Sequence, residues 1–292
     1  VPIRESGSLL PQLAIADVIR KLSVRKWVWV IGAIAQSICI LAMVGVAFVL
    51  EGKQAGFAIL GLLILFSLAR GFNSVAAKDV LGKVIPKKQR GNISGLAASI
   101  AGLATLTFGL LMWFFSQQKE QNTVLIALVL GAIMWIVAAF FYSRINEYKG
   151  ATDGGKNGLL HAFTKLKLLY QDKQFAHFVV TRAFLLCSAL SAPFYIILAS
   201  RQSFDFSLLA TFIAVSGLAS LVSAPIWGRL SDLSSQRVLV LSAMLVTFNG
   251  LAVFVIATWF NHLLSAWWLL PTLYFLLSVA HQGVRLGRKT YL

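Results

Sequence analysis

Apolar residues come in long unbroken runs, and charged residues are confined almost entirely to the short stretches between them. Eight runs (27–50, 56–77, 91–115, 123–142, 177–199, 208–228, 238–260 and 266–282) approach or exceed the roughly 20 residues a helix needs to cross about 30 Å of hydrocarbon. A ninth run, 6–19, is shorter and holds Pro11; it reads as a whole or partial span. None alternates apolar and polar residues with the period of two that a barrel strand needs. The pattern therefore predicts an all-α, polytopic membrane bundle, because a helix satisfies its own backbone hydrogen bonds in lipid.

Composition agrees. Of the 292 residues, 58% are hydrophobic and 12% charged, where a soluble domain carries about a quarter charged. The net charge of +16 raises the question of nucleic acid. The basic residues form no stripe interleaved with exposed aromatics, so a nucleic-acid partner is excluded and a lipid bilayer takes its place. Of the 26 Lys and Arg, only Arg4, Lys53, Lys119 and Arg201 fall in one set of alternate loops, while Arg70 and Arg182 lie within spans. The rest crowd the other set of loops, which by the positive-inside rule faces the cytoplasm. An integral protein of the bacterial cytoplasmic (inner) membrane is expected. Cys39 and Cys187 lie inside apolar runs and read as small hydrophobes, with no disulfide framework or metal-ligand spacing.

Two features speak to organisation. Residues 143–175 are long and polar for a loop, and within them Phe163, Leu166, Leu169 and Tyr170 share one helical face, giving an amphipathic segment. This reads as a cytoplasmic linker between an N-terminal half-bundle, 1–142, and a C-terminal one, 176–292. A repeat joins the halves: one basic turn has Asp17, Arg20, Arg25 and Lys26 entering a span, and another has Gly228, Asp232 and Arg237 doing the same.

The second copy, with Gly228, Leu230, Asp232, Gln236 and Arg237 in place and Ser235 replacing a glycine, resembles the loop signature of the major facilitator superfamily of secondary transporters. Arg70, Asn73, Ser74, Ala76 and Ala77 are similar to that family's fourth-helix pattern of an Arg followed by polar and small residues. The resemblance implies two pseudo-symmetric half-bundles, the spans matching helices two to ten of twelve, with the chain truncated at both ends. It implies a permease, symporter or antiporter moving a small solute by alternating access, with protons as a coupling ion. It assigns Asp17, Arg20, Arg25, Lys26, Gly228, Asp232 and Arg237 to a cytoplasmic gate, and the family's pseudo-symmetry puts Asp232 near the start of the span beginning at Gly91. A local cap or loop salt bridge is the alternative.

Arg70 lies eight residues before Lys78, about 12 Å from the cytoplasmic end of its helix. A charge at that depth calls for a cavity or partner, unless its long stem snorkels to the interface. Arg182 faces the same choice nearer the surface. His281 ends a span, where it either titrates near neutrality or fills a structural place. With Asn73 these form the candidate substrate or coupling set. No carboxylate lies at mid-span, so two arginines lining a pathway would favour an anionic solute. The histidines show no ligand spacing and the chain has no phosphate-binding Gly-Lys loop, which disfavours an enzyme, a cofactor or an ATP-driven pump. A non-transporting scaffold or channel-like protein is the remaining alternative.

Overall fold

The computed structural model describes residues 19, 21–115, 120–150, 168–200 and 206–290, and within these leaves some side chains of 120–123, 168–190 and 206 undescribed. Its elements are α1 (Lys26–Val49), α2 (Gly52–Val84), α3 (Arg90–Phe114), α4 (Glu120–Ser143), the short α5 (Leu168–Gln171), α6 (Lys173–Ser200), α7 (Phe206–Leu233), α8 (Ser235–Trp259) and α9 (Leu269–Thr290). The turns Lys87–Gln89 and Asn261–Ser265 are 3-10. The fold is all-helical, with no strand among the described residues. Among the described residues, six helices are long and apolar enough to cross a membrane: those over Lys26–Val49, Gly52–Val84, Lys87–Phe114, Val124–Ser143, Ser207–Leu233 and Ser235–Trp259.

The helices overrun the apolar runs at the basic ends. α2 holds 33 residues, about 50 Å at 1.5 Å per residue, so the stretch carrying Lys78, Asp79 and Lys83 projects beyond the hydrocarbon. α9 likewise continues past 282 through Arg285, Arg288 and Lys289. Only Leu50 and Glu51 separate α1 from α2. Gly52 makes that turn with φ +58, a left-handed conformation that a Cβ would penalise.

The burial pattern is inverted relative to a soluble domain. Phe48, Phe57, Phe114 and Phe248 are exposed, whereas Gln36, Ser37, Ser67, Ser99, Ser242, Asn249 and Gln282 are buried. Lipid tails are as apolar as leucine, so burying large apolar side chains between helices gains little there. Close packing of small residues and interhelical hydrogen bonds hold the bundle instead.

The described residues form two compact units. One takes Val1–Ile85 and Gln121–Lys173, the other Pro86–Glu120 and Gln174–Leu292. In the first, α1 packs on α2. Asn73, with its amide oriented to suit its neighbours, donates to Trp29 O (3.1 Å) and accepts from Gln36 Nε2 (2.8 Å). Ser37 Oγ donates to Ala132 O of α4 at 2.9 Å, and Trp29 stacks on Tyr142 at 4.0 Å.

In the second unit α3 and α7 touch backbone to backbone. A Cβ added to Gly95 would stand 2.5 Å from Ala224 O, one added to Gly102 2.6 Å from Leu221 N, and one added to Gly217 2.3 Å from Leu106 N. Proline strengthens the pair. Pro225 has no N–H, so the Leu221 carbonyl four residues earlier loses its helical donor. Ser99 Oγ of α3 donates to that carbonyl at 2.7 Å. α9 completes the unit: Trp227 Nε1 donates to Val279 O (2.9 Å), and Asn249 Nδ2 donates to Tyr195 Oη (2.9 Å) and Leu273 O (3.0 Å), tying α6, α8 and α9 together.

This seam makes a direct prediction. Gly217→Leu has no room and should abolish monodisperse folded protein in detergent, whereas Gly61→Ala on α2, whose Cβ would meet nothing within 4 Å, should raise stability by about 1 kcal/mol through helix propensity. Thermal unfolding and size-exclusion profiles of the two variants check it.

Candidate functional site

The basic end of the second unit holds the gate motif. α3 begins at Arg90 with Gln89 as its N-cap, and the Gln89 side chain makes no cap bond. Asp232, one residue from the end of α7, performs that task from another helix. Its Oδ1 accepts from Gly91 N and its Oδ2 from Asn92 N, each at 2.7 Å. Those are the second and third N–H groups of α3, the donors that a local Ser, Thr or Asp cap ordinarily satisfies. A carboxylate in the last turn of its own helix opposes that helix's dipole, whereas at the start of α3 the dipole favours it. The chain can come this close because residue 91 is glycine: a Cβ there would lie 2.5 Å from Asp232 Oδ1 and 2.5 Å from Gly228 O. Gly228 is needed for the same reason, its added Cβ meeting Gly91 O at 2.6 Å.

The first unit has a trans cap of its own. α1 starts after Arg25, which puts a cation at a positive helix end and makes no side-chain cap bond. Glu147, in the turn after α4, accepts from Arg25 N (2.8 Å to Oε2) and from Lys26 N (2.6 Å). Lys83 Nζ of α2 donates to Glu147 Oε1 at 2.6 Å, and the glutamate side chain is fully buried. Arg25 Nη1 pairs with Asp79 at 2.8 Å. Lys26 Nζ donates to Ser143 O (2.9 Å) and Ile145 O (2.8 Å), capping the carbonyl end of α4. Burial pushes the Glu147 carboxyl up, but the Lys83 hydrogen bond, the two backbone N–H bonds and the Lys83 charge outweigh it and hold the group below its ordinary value.

Deeper in the second unit lies a cavity of about 270 Å³. Thr105 of α3, Ser216 and Ser220 of α7, and Tyr274, Ser278, His281, Gln282 and Arg285 of α9 supply its polar lining. α9 achieves this by having two faces. Leu270, Leu273, Leu277, Ala280 and Val284 are buried, while Tyr274, Ser278, His281 and Arg285, spaced by four, three and four residues, share the other face. Gln282 is 7% exposed; its Nε2 donates to Ser220 Oγ, and its Oε1 has no hydrogen-bond partner. Thr105 lies 14 residues beyond Gly91, about 21 Å along α3 from the trans cap, a depth near the middle of a bilayer.

The candidate residues thus fall into groups. Asp232, Gly228 and Gly91 meet at the latch, and Arg237 N donates to Ser234 Oγ at 3.4 Å, a local cap of α8. Arg25 and Lys26 join the Glu147 clasp. His281 lines the cavity. Asn73 is engaged in packing between α1 and α2, and Arg70 is half-buried on α2. Asp17, Arg20 and the side chain of Arg182 lie outside the described residues. Sequence reasoning passed over Glu147, Asp79 and Lys83. The available signal was Arg25 itself, a cation at a helix start that calls for a nearby acid.

A set of membrane-length helices with small and polar residues inside and large apolar ones outside defines an α-helical integral membrane protein. The chain belongs to the Major Facilitator Superfamily, whose family model matches residues 7–285; it is a membrane transporter. No curated protein and no solved structure matches it significantly.

The two trans caps predict different behaviour. A carboxylate whose pKa is lowered by folding stabilises the protein above its unfolded value, and that stability is lost as pH falls through the folded value. Wild-type thermal stability should therefore decline as pH drops below about 4.3, the unperturbed glutamate value. Glu147→Gln should be less stable at neutral pH and show a shallower acid decline. Asp232→Ala should cost about 1 kcal/mol, as loss of a helix cap does, read by thermal unfolding at pH 7.

Proposed function

We propose that the protein is a secondary active carrier that moves a small solute by alternating access, with the cavity on α9 as the solute site. The moving bodies are the half-bundles 1–142 and 176–292, joined by 143–175. On this reading α3 and α7 meet and part as the carrier works, and the Asp232 cap on α3 is the cytoplasmic latch that holds one conformation closed. Asp17 would play the matching part in the other half. The excess of Lys and Arg in the loops at this end supports a latch on the cytoplasmic side of a bacterial cytoplasmic membrane.

One observation carries the proposal: the same two helices that bear the latch at their basic end also line a polar cavity about 20 Å deeper. A breakable contact over an interior site is what a gate requires, and a fixed pore has no use for it. The lining supports an anionic solute, since it contains Arg285 and, among the described residues, no carboxylate. Protons are proposed as the coupling ion, with His281 as a lining side chain able to take up and give back a proton.

Alternating access is tested with Ser278→Cys in a background carrying Cys39→Ser and Cys187→Ser. Membrane-impermeant thiol reagents should label residue 278 from either side of the bilayer, and adding Asp232→Ala should raise labelling from the cytoplasmic side several-fold. Labelling from one side alone, insensitive to Asp232, rejects the carrier. Collapse of a pH gradient by an uncoupler should reduce solute accumulation in liposomes if protons drive it.

A further inference from the structure

At the Asp232 end of the second unit another cavity, of about 230 Å³, opens beside the trans cap. Four elements wall it. Lys87 and Lys88 come from the 3-10 turn that leads into α3, and Asp232 and Leu233 from the end of α7. Ser235 is the first residue of α8, and Thr290 the last of α9. The hydroxyl side of the pocket is tied together in advance. Ser235 Oγ donates to Ser231 O at 3.0 Å, and Ser235 and Thr290 pair through their hydroxyls at 2.9 Å.

The pocket is positive. Lys87 and Lys88 each bring an ammonium, and the carboxylate on the lining, that of Asp232, accepts from Gly91 N and Asn92 N through its two oxygens. Its charge is answered by the start of α3, where the helix dipole favours it. An incoming anion therefore meets two exposed lysines and an acid that already has its donors. A lysine binds phosphate as a compact point charge with three donors. The space suits such a group: at about 30 Å³ per water, 230 Å³ equals roughly eight waters. That is room for a phosphate and a few further atoms, and too little for a fatty chain.

What adjoins the pocket supplies the rest of the ligand. Leu233 on its rim is 84% exposed, and Val222, Ile226 and Leu230 before it are exposed as well. Their spacing of four, four and three residues puts them on one face of α7. An apolar stripe thus runs from the pocket along a helix of membrane-spanning length. A soluble phosphate would use the lysines and leave the stripe bare, whereas a phospholipid covers both.

We propose that this pocket binds the headgroup of a net-negative phospholipid, with its phosphate against Lys87 and Lys88 and an acyl chain along Val222, Ile226, Leu230 and Leu233. The site is separate from the solute cavity and does not depend on the carrier reading. It holds one lipid at a fixed place, which differs from the diffuse pull of basic loops on an anionic leaflet.

The test is a native mass spectrometry titration of the full-length protein in neutral detergent with three probes. Dioctanoyl phosphatidylglycerol carries the net charge and the chains. Dioctanoyl phosphatidylcholine keeps the phosphate and chains but adds a cancelling ammonium, and glycerophosphate keeps the charge without chains. Phosphatidylglycerol should bind one to one and more tightly than either. Lys87→Gln combined with Lys88→Gln should weaken it about twentyfold, near fivefold for each lysine, to the level of phosphatidylcholine. Arg229→Gln, at an exposed arginine of α7 that is off the lining, should change it little. Leu233→Asn should weaken the lipid and leave glycerophosphate as it was.

All the substituted side chains are exposed, so the variants should fold. Equal binding of phosphatidylglycerol and phosphatidylcholine to the native protein overturns the anionic headgroup. A loss from Arg229→Gln as large as that from the lysine pair overturns the pocket in favour of a diffuse basic surface. Glycerophosphate binding as tightly as the lipid, with Leu233→Asn affecting neither, overturns the lipid in favour of a soluble phosphate compound.

Discussion

The first N–H groups of a helix need acceptors, and in this chain two helices with basic N-terminal ends do not supply their own. α1 is preceded by Arg25 and α3 by Gln89, and neither side chain caps its helix. Glu147 and Asp232, each at or beyond the end of a different helix, complete the open N–H groups instead. A cap borrowed from another helix does something a local Ser or Asp cannot: it fixes where one helix ends relative to where another begins. In the first unit the borrowed cap draws α1, α2 and the α4 turn together through Lys83 and Lys26. In the second it joins α7 to α3. The glycines at 91 and 228 follow from that constraint, because any Cβ at either position would push the carboxylate out of range.

Within the bilayer the logic changes from charge to close approach. Burying a leucine against another helix gains little when lipid offers the same surroundings. The seam between α3 and α7 is accordingly made of glycine, alanine and serine. The proline in α7 is tolerated because its cost, one unsatisfied carbonyl, is met by Ser99 across the seam. Large apolar side chains turn outward, where they are exposed on these helices and match the lipid. Polar side chains turn inward and find partners on neighbouring helices, as Asn249 and Trp227 do.

Much of this was legible in the sequence. Run length gave the helices. The family resemblance carried by the turn around Asp232 implied a place near the start of the span at Gly91, where its carboxylate is found. The overruns were harder to read, because the charges at Lys78, Asp79 and Lys83 end an apolar run without ending a helix. Glu147 was illegible for a different reason. An acid four residues past a span looks like any loop residue, and its partners lie more than 60 positions away in sequence. The cavity was half legible: His281 stood out as a histidine in an apolar run, but Gln282 and Ser220 are unremarkable until α7 and α9 lie side by side.

For the proposed carrier, a closed conformation has to be firm enough to persist and weak enough to yield. Swinging a two-state equilibrium from 1:99 to 99:1 takes about 5.5 kcal/mol of differential binding. A seam held by the hydrophobic effect over the length of α3 would exceed what a small solute can supply. The seam here gains no hydrophobic term in lipid, so what opposes opening is packing, the Ser99 bond and the Asp232 cap. Hydrogen bonds to a charged group contribute about 1.5–3 kcal/mol each, and interhelical bonds between neutral groups in membranes average about 0.6 kcal/mol. Contacts of that size are comparable with the binding energy of a small polar anion. Gly91, Gly228 and Ser99 bring the helices close without burying apolar surface against water, and that leaves the charged Asp232 cap to control the closed state.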